Sequence, residues 1–91
     1  MKIKAIKIEV KTTIKIFKKH NVLEKEIYDM LKNDKPLFRK VAGKQYNTIG
    51  LSRSRYITIF FRYDENIKEM EITTAYPSDK RQIKFYKRSR K

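Results

Sequence analysis

The sequence predicts an α+β fold: an antiparallel sheet of three to five strands, packed by two N-terminal helices and one C-terminal helix. Three observations carry this. Residues 13–32 place apolar side chains at helical spacing, whereas residues 37–76 alternate apolar and polar side chains in runs separated by turn residues. After Pro77 the helical spacing returns, and helices grouped apart from strands read as α+β rather than as alternating parallel units. Finally, 91 residues with 40% hydrophobic content and only two Gly and two Pro support one small core. That makes residues 1–91 a single domain, with 87–91 a frayed basic tail.

Residues 2–10 alternate, with Ile6, Ile8 and Val10 on one face and Lys7 and Glu9 on the other, the pattern of a strand. Thr12 or Thr13 can cap a short helix over 13–20 that turns Ile14 and Phe17 inward, and Asn21 suits its left-handed end. A second helix is expected from Leu23 to Lys32, with Leu23, Ile27, Met30 and Leu31 on one stripe and Glu24 and Glu26 favouring its N-terminal end. Asn33, Asp34 and Pro36 stop it.

Strand signals follow. Leu37 to Val41 and Tyr46 to Leu51 flank an Ala42-Gly43-Lys44 turn, and Ser52-Arg53-Ser54 is the next turn. Tyr56 to Tyr63 is the clearest strand: Ile57, Ile59 and Phe61 face one way, Tyr56, Thr58, Phe60 and Arg62 the other. On that second face Phe60 is expected to be covered and Arg62 open. Ile67 to Tyr76 sets Met70, Ile72 and Thr74 against Glu69, Glu71 and Thr73. Ser78 is the expected cap of the last helix, which turns Ile83 and Tyr86 or Phe85 inward.

Charge narrows the function. Lys and Arg number 24 against 10 Asp and Glu, a formal net charge of +14. The excess is segmented: residues 36–63 carry six bases and no acid, and residues 80–91 seven bases and no acid. Such an excess repels itself, so a polyanionic partner is indicated, and nucleic acid is the commonest. Acidic protein partners, or a surface adapted to a hot or AT-rich source, are the competing explanations. With no Cys, disulfides, thiol nucleophiles and Cys-based zinc sites are excluded, and a reducing cytoplasm is permitted. No apolar run approaches the roughly 20 residues of a membrane span, and the Lys-Ile alternation at the N-terminus does not read as a secretory signal. There is no Gly-rich phosphate loop, no paired-His metal spacing and no calcium-loop order among Asp64, Glu65, Glu69 and Glu71, so no cofactor or metal is expected. Ser52 and Ser54 lack visible triad partners.

Two stretches carry a resemblance. Lys19-His20-Asn21-Val22, with Glu24 and Glu26 following, resembles the Lys-His-Gly-Val entry into the second helix of BrnT-like toxins of the RelE superfamily. Ile72-Thr73-Thr74-Ala75-Tyr76-Pro77, followed by a basic helix reaching Tyr86, resembles the strand and helix that end those chains, and its Thr-Ala-Tyr-Pro ending looks more like the phage and colicin-type branch of the wider barnase, EndoU and RelE-type group. Arg55 falls where the family opens its long strand with Gly-Arg. The chain departs from the pattern at Tyr76, where Arg is usual, at Gln82, where Glu is usual, and at Asn21 and Ser54, where Gly is usual. The resemblance implies a RelE-like fold and a cytoplasmic, metal-independent endoribonuclease of a toxin–antitoxin system, monomeric when free, with RNA as substrate and a small antitoxin as partner.

Such an RNase needs a base for the 2′-hydroxyl proton, an acid for the leaving oxygen and positive charge near the phosphate. His20, the only His, is the candidate acid–base, although a His at a helix end also interacts well with the helix dipole. Arg55 is the candidate phosphate grip, Thr74 a hydrogen-bonding group, and Tyr76 a proton donor or base-stacking ring. Arg53, Arg62, Lys80, Arg81, Lys84 and Tyr86 are the candidate substrate-binding residues. Each also has a plain structural explanation: solvated charges, a good strand residue in Thr74, a core aromatic in Tyr86. The competing function is a non-catalytic basic nucleic-acid-binding protein of viral or plasmid origin.

Overall fold

The computed structural model describes residues 2–33, 36–52 and 55–89. The chain runs β1 (Ala5–Lys7), α1 (Val10–His20), α2 (Glu24–Asn33), β2 (Leu37–Ala42), β3 (Gln45–Leu51), β4 (Tyr56–Asp64), β5 (Glu69–Pro77) and α3 (Lys80–Ser89). The strands form one sheet in the order β1-β5-β4-β3-β2. β2 to β5 are an antiparallel meander, and β1 adds to β5 as the one parallel pair, so the sheet is mixed. Connectivity permits the parallel pairing: two helices and the rest of the meander separate β1 from its partner, far more chain than a parallel crossover needs.

One face of the sheet is the core. Ile57, Ile59, Phe61 and Tyr63 of β4, Met70, Ile72 and Ala75 of β5, and Ile16, Val22, Ile27 and Met30 from the helical segment pack into one buried cluster. Burying each such aliphatic or aromatic side chain contributes about 1.5–3 kcal/mol. Gly50 in β3 lets α2 approach this closely, because a Cβ there would stand 2.6 Å from Met30 Sδ. At the N-terminus the Tyr63 hydroxyl donates to the Lys2 carbonyl.

Several sequence expectations change. The N-terminal strand covers only Ala5–Lys7, and Val10 opens α1 three residues before the expected start, with Glu9 at the cap position and no side-chain cap bond. The buried residue of α1 is Ile16, whereas Val10 is 77%, Ile14 49% and Phe17 47% exposed. Ile16 lies a turn after the half-buried Thr12 and a turn before the half-buried His20, and that stripe, not Ile14–Phe17, meets the sheet. Leu23 precedes α2 and is exposed rather than part of its buried stripe. The cap of α3 is Asp79 rather than Ser78: Asp79 Oδ1 accepts the Gln82 N–H at 2.8 Å while Gln82 Oε1 accepts the Asp79 N–H at 2.9 Å, a reciprocal capping box.

The consequential change is in β5. Phe60 pairs with Thr74 but Phe61 pairs with Ile72, so Thr73 is an extra, bulged residue whose hydroxyl donates to the Phe60 carbonyl. A bulge shifts the alternation by one. Met70 and Ile72 point into the core before it and Ala75 after it, so Thr74 does not share their face as the simple alternation predicts. Thr74 and Tyr76 instead join Thr58 and Phe60 on the opposite face, half-covered by α3.

Candidate active site

β1 pairs with β5 only along Glu69–Glu71. Beyond Glu71 the outer edge of β5 has no strand beside it among the described residues, and α1 packs against β5. The last turn of α1 therefore reaches the C-terminal end of β5, where the His20 ring lies 5.7 Å from the Tyr76 ring, centroid to centroid. Asn21 terminates α1 in the left-handed conformation, φ 54°, with its N–H donating to the Phe17 carbonyl. That sharp end sets the position of His20.

Tyr76 is fixed from two further sides. Its ring stacks on Phe60 at 6.1 Å and 26°, and its hydroxyl accepts from Gln82 Nε2 at 2.9 Å. Gln82 Oε1 is held in turn by the Thr58 hydroxyl at 3.1 Å, and Thr58 exchanges a hydrogen bond with Ser78 at 2.7 Å. Thr74, paired across the strands with Phe60, lies beside this group. Phe60, expected under cover, is half-exposed and forms part of the platform.

Arg55 is committed elsewhere. Its Nε and Nη2 donate to the Glu26 carboxylate at 2.9 and 2.8 Å, and Nη2 also donates to the Asn21 carbonyl at 2.7 Å. The Arg55 hydrogen bond holds the Glu26 carboxyl below the usual carboxylate range, against partial burial that pushes the other way, and the pair raises the Arg55 guanidinium further. Glu26 also accepts the Leu23 N–H at 3.3 Å, the N3 position of α2 reaching back to its cap. The fork expected to grip phosphate thus ties α2, the start of β4 and the residue after His20 together. An open cleft of about 520 Å³ adjoins this pair, lined by Phe17, Leu23, Asp29 and Ser52 among others.

The remaining candidates disperse. Tyr86 is 6% exposed and meets Tyr56 edge-on at 5.6 Å, a buried position that does not line an open site as expected. Arg62 is exposed and pairs across the strands with Glu71. Lys80, Arg81 and Lys84 are exposed on α3. Arg53 lies outside the described residues, as does Ser54 of the expected turn. The structure brings together His20, Thr74 and Tyr76, and adds Phe60, Gln82 and Thr58, which sequence reasoning did not assign. The Asp79-x-x-Gln82 spacing is a capping signal for Gln82, which the sequence otherwise marked only as a departure from the resembled pattern.

Two helices entering a meander sheet, a single parallel N-terminal strand and a C-terminal helix over the far face define a BrnT-like α+β architecture. The crystal structure of the Brucella abortus ribonuclease toxin BrnT matches the chain with a TM-score of 0.67, covering 84% of this chain and 97% of that one at 10% sequence identity. At that identity the likeness is one of fold. No protein-family model matches the sequence, and no curated protein does. Among the described residues no helix is long and apolar enough to cross a membrane.

Proposed function

We propose that this chain is a toxin-type endoribonuclease that cleaves RNA without a metal and is held inactive in the cell by an antitoxin. The observation that carries this reading is the meeting of His20 and Tyr76 at the open edge of β5, within the fold of a solved ribonuclease toxin. In this reading the His20 imidazole takes the 2′-hydroxyl proton as the 2′-oxygen attacks phosphorus. The bond from phosphorus to the 5′-oxygen breaks, and that oxygen receives the Tyr76 proton. The products are a 2′,3′-cyclic phosphate and a 5′-hydroxyl, and solvent returns the proton from His20 to Tyr76. Thr74 donates to a phosphate oxygen, Phe60 extends Tyr76 as a stacking surface for a base, and Lys80, Arg81 and Lys84 hold flanking phosphates. Arg55 acts through position, by clamping the Asn21 carbonyl next to His20.

The test is incubation with end-labelled single-stranded RNA in EDTA, followed by mapping of the cut ends. The parent is expected to release cyclic-phosphate fragments, and His20→Ala to release none while keeping the parental circular dichroism spectrum. An intact, retained RNA band with the parent protein would favour the basic binding protein instead.

A further inference from the structure

We infer that Gln82 is a positioning residue that turns the proton of the Tyr76 hydroxyl outward, toward the scissile phosphodiester. The inference rests on the endoribonuclease reading, but it is argued from hydrogen-bond direction. A backbone N–H can only donate. The Asp79 N–H reaches the Gln82 side chain at 2.9 Å, so the atom it meets is the amide oxygen, and the amide cannot be flipped. The Thr58 hydroxyl donates to the same oxygen at 3.1 Å, which leaves Ser78 to donate to Thr58. With the oxygen engaged twice, the amide nitrogen must face Tyr76, and it does at 2.9 Å.

That nitrogen carries only protons on this side, so the Tyr76 oxygen accepts and its own hydrogen points elsewhere. Among the described residues Gln82 is the one hydrogen-bond partner of that hydroxyl. The hydroxyl therefore keeps its donor directed away from Gln82 and free for a ligand. When the proton passes to the leaving 5′-oxygen, the charge left on the tyrosine oxygen already has a donor aimed at it, an arrangement that needs no reorganisation during the step. Helix capping and proton direction thus depend on one side chain: the same oxygen that closes the α3 capping box fixes which end of the amide meets Tyr76.

Gln82→Glu tests this cleanly. Glu at N3 preserves the capping box and suits the positive end of a helix, so folding is retained. A carboxylate facing Tyr76 only accepts, and it turns the phenol proton inward. The expected result is a kcat about 100-fold lower with KM unchanged and Tm not reduced. Tyr76→Phe is expected to lose a similar factor, and Gln82→Glu to add nothing on that background. In protein labelled with 13Cζ tyrosine, the Tyr76 resonance is expected to move in Gln82→Glu, because the hydroxyl switches from accepting to donating. A parental kcat in Gln82→Glu, in an enzyme that cleaves and is slowed by Tyr76→Phe, overturns the inference and leaves the endoribonuclease reading standing; a parental kcat in Tyr76→Phe overturns the inference together with the role of Tyr76 as proton donor. If the parent cleaves no RNA, that reading fails, and the resonance alone decides: an unmoved Tyr76 signal in Gln82→Glu overturns the inference.

Discussion

Glu26→Gln should loosen the end of α1 that carries His20, and the loss should vanish in acid. Glu26 receives two charge-assisted hydrogen bonds from Arg55, at 2.9 and 2.8 Å. Glutamine keeps one acceptor but turns an amide NH2 toward the other guanidinium donor. Hydrogen bonds to charged groups contribute about 1.5–3 kcal/mol each, while exposed pairs contribute about 0.2–1 kcal/mol. The Arg55 side chain is 34% exposed and that of Glu26 19%, so solvent screens this pair and about 1–2 kcal/mol is the expected loss. For a domain near 100 residues, each kcal/mol is about 4–8 °C in Tm, giving a drop of roughly 4–16 °C. Because the folded-state pKa of Glu26 lies below the ordinary value of 4.5, its contribution is complete above that value and fades as pH falls through the lowered folded value. Protonated Glu26 then behaves as the Gln variant does. Thermal melts of both proteins by circular dichroism, at neutral pH and at a pH below the carboxylate range, measure the gap. A gap that stays constant into acid, or none at neutral pH, would refute the argument.

Other perturbations read the same structure. Gly50→Ala places a methyl 2.6 Å from Sδ and 2.9 Å from Cγ of the buried Met30, and overpacking of this kind costs about 1–3 kcal/mol; denaturant melts should show the loss, and a shortened side chain at Met30 should relieve part of it. Replacing Lys80, Arg81 and Lys84 together by Gln should weaken RNA binding across sequences and flatten the slope of log affinity against log salt by about 0.7 for each phosphate no longer neutralised; an unchanged slope in filter binding would place the RNA elsewhere. Tyr86→Ala should empty a buried ring site against Tyr56 and cost about 3–5 kcal/mol by urea unfolding.

Much of the fold was legible in the sequence because strand and helix periods are local. The Ile57, Ile59 and Phe61 alternation needs no knowledge of partners, and all three are fully buried. The parts that were not legible are those set by distant contacts. α1 carries two apolar stripes, and only docking on β5 decides that Ile16 and not Ile14 with Phe17 is inside. The Thr73 bulge is a property of pairing between β4 and β5, so no pattern within β5 announces that Thr74 leaves the core face. Arg55 was recognisable as a special position, but its partner Glu26 lies 29 residues away. Tyr76 and Gln82, the two departures from the resembled pattern at the end of the chain, turn out to touch each other. The two positions are six residues apart in sequence, and their neutral hydrogen-bonded contact is visible only in three dimensions.

The acidic residues also make sense along the sheet. Glu71 stands in register between Lys7 of β1 and Arg62 of β4, and Glu69 pairs with Asp64 near the β4–β5 turn. The acids of that segment therefore gather at one end of β5, where they offset neighbouring bases. Tyr76 lies five residues further along the same strand, about 16 Å away at the usual rise. That is roughly twice the screening length at physiological salt, so Glu71 scarcely opposes a phosphate at the Tyr76 end. Lys18 and Lys19 precede His20 at the close of α1, and Lys80, Arg81 and Lys84 begin α3 just beyond Pro77. At the β1 end of β5 Glu71 thus faces bases in register, whereas at the Tyr76 end Lys18, Lys19, Lys80, Arg81 and Lys84 outnumber Asp79 and the Arg55-paired Glu26. On the endoribonuclease reading proposed above, this local excess of bases is what would draw RNA to the edge where His20 and Tyr76 meet.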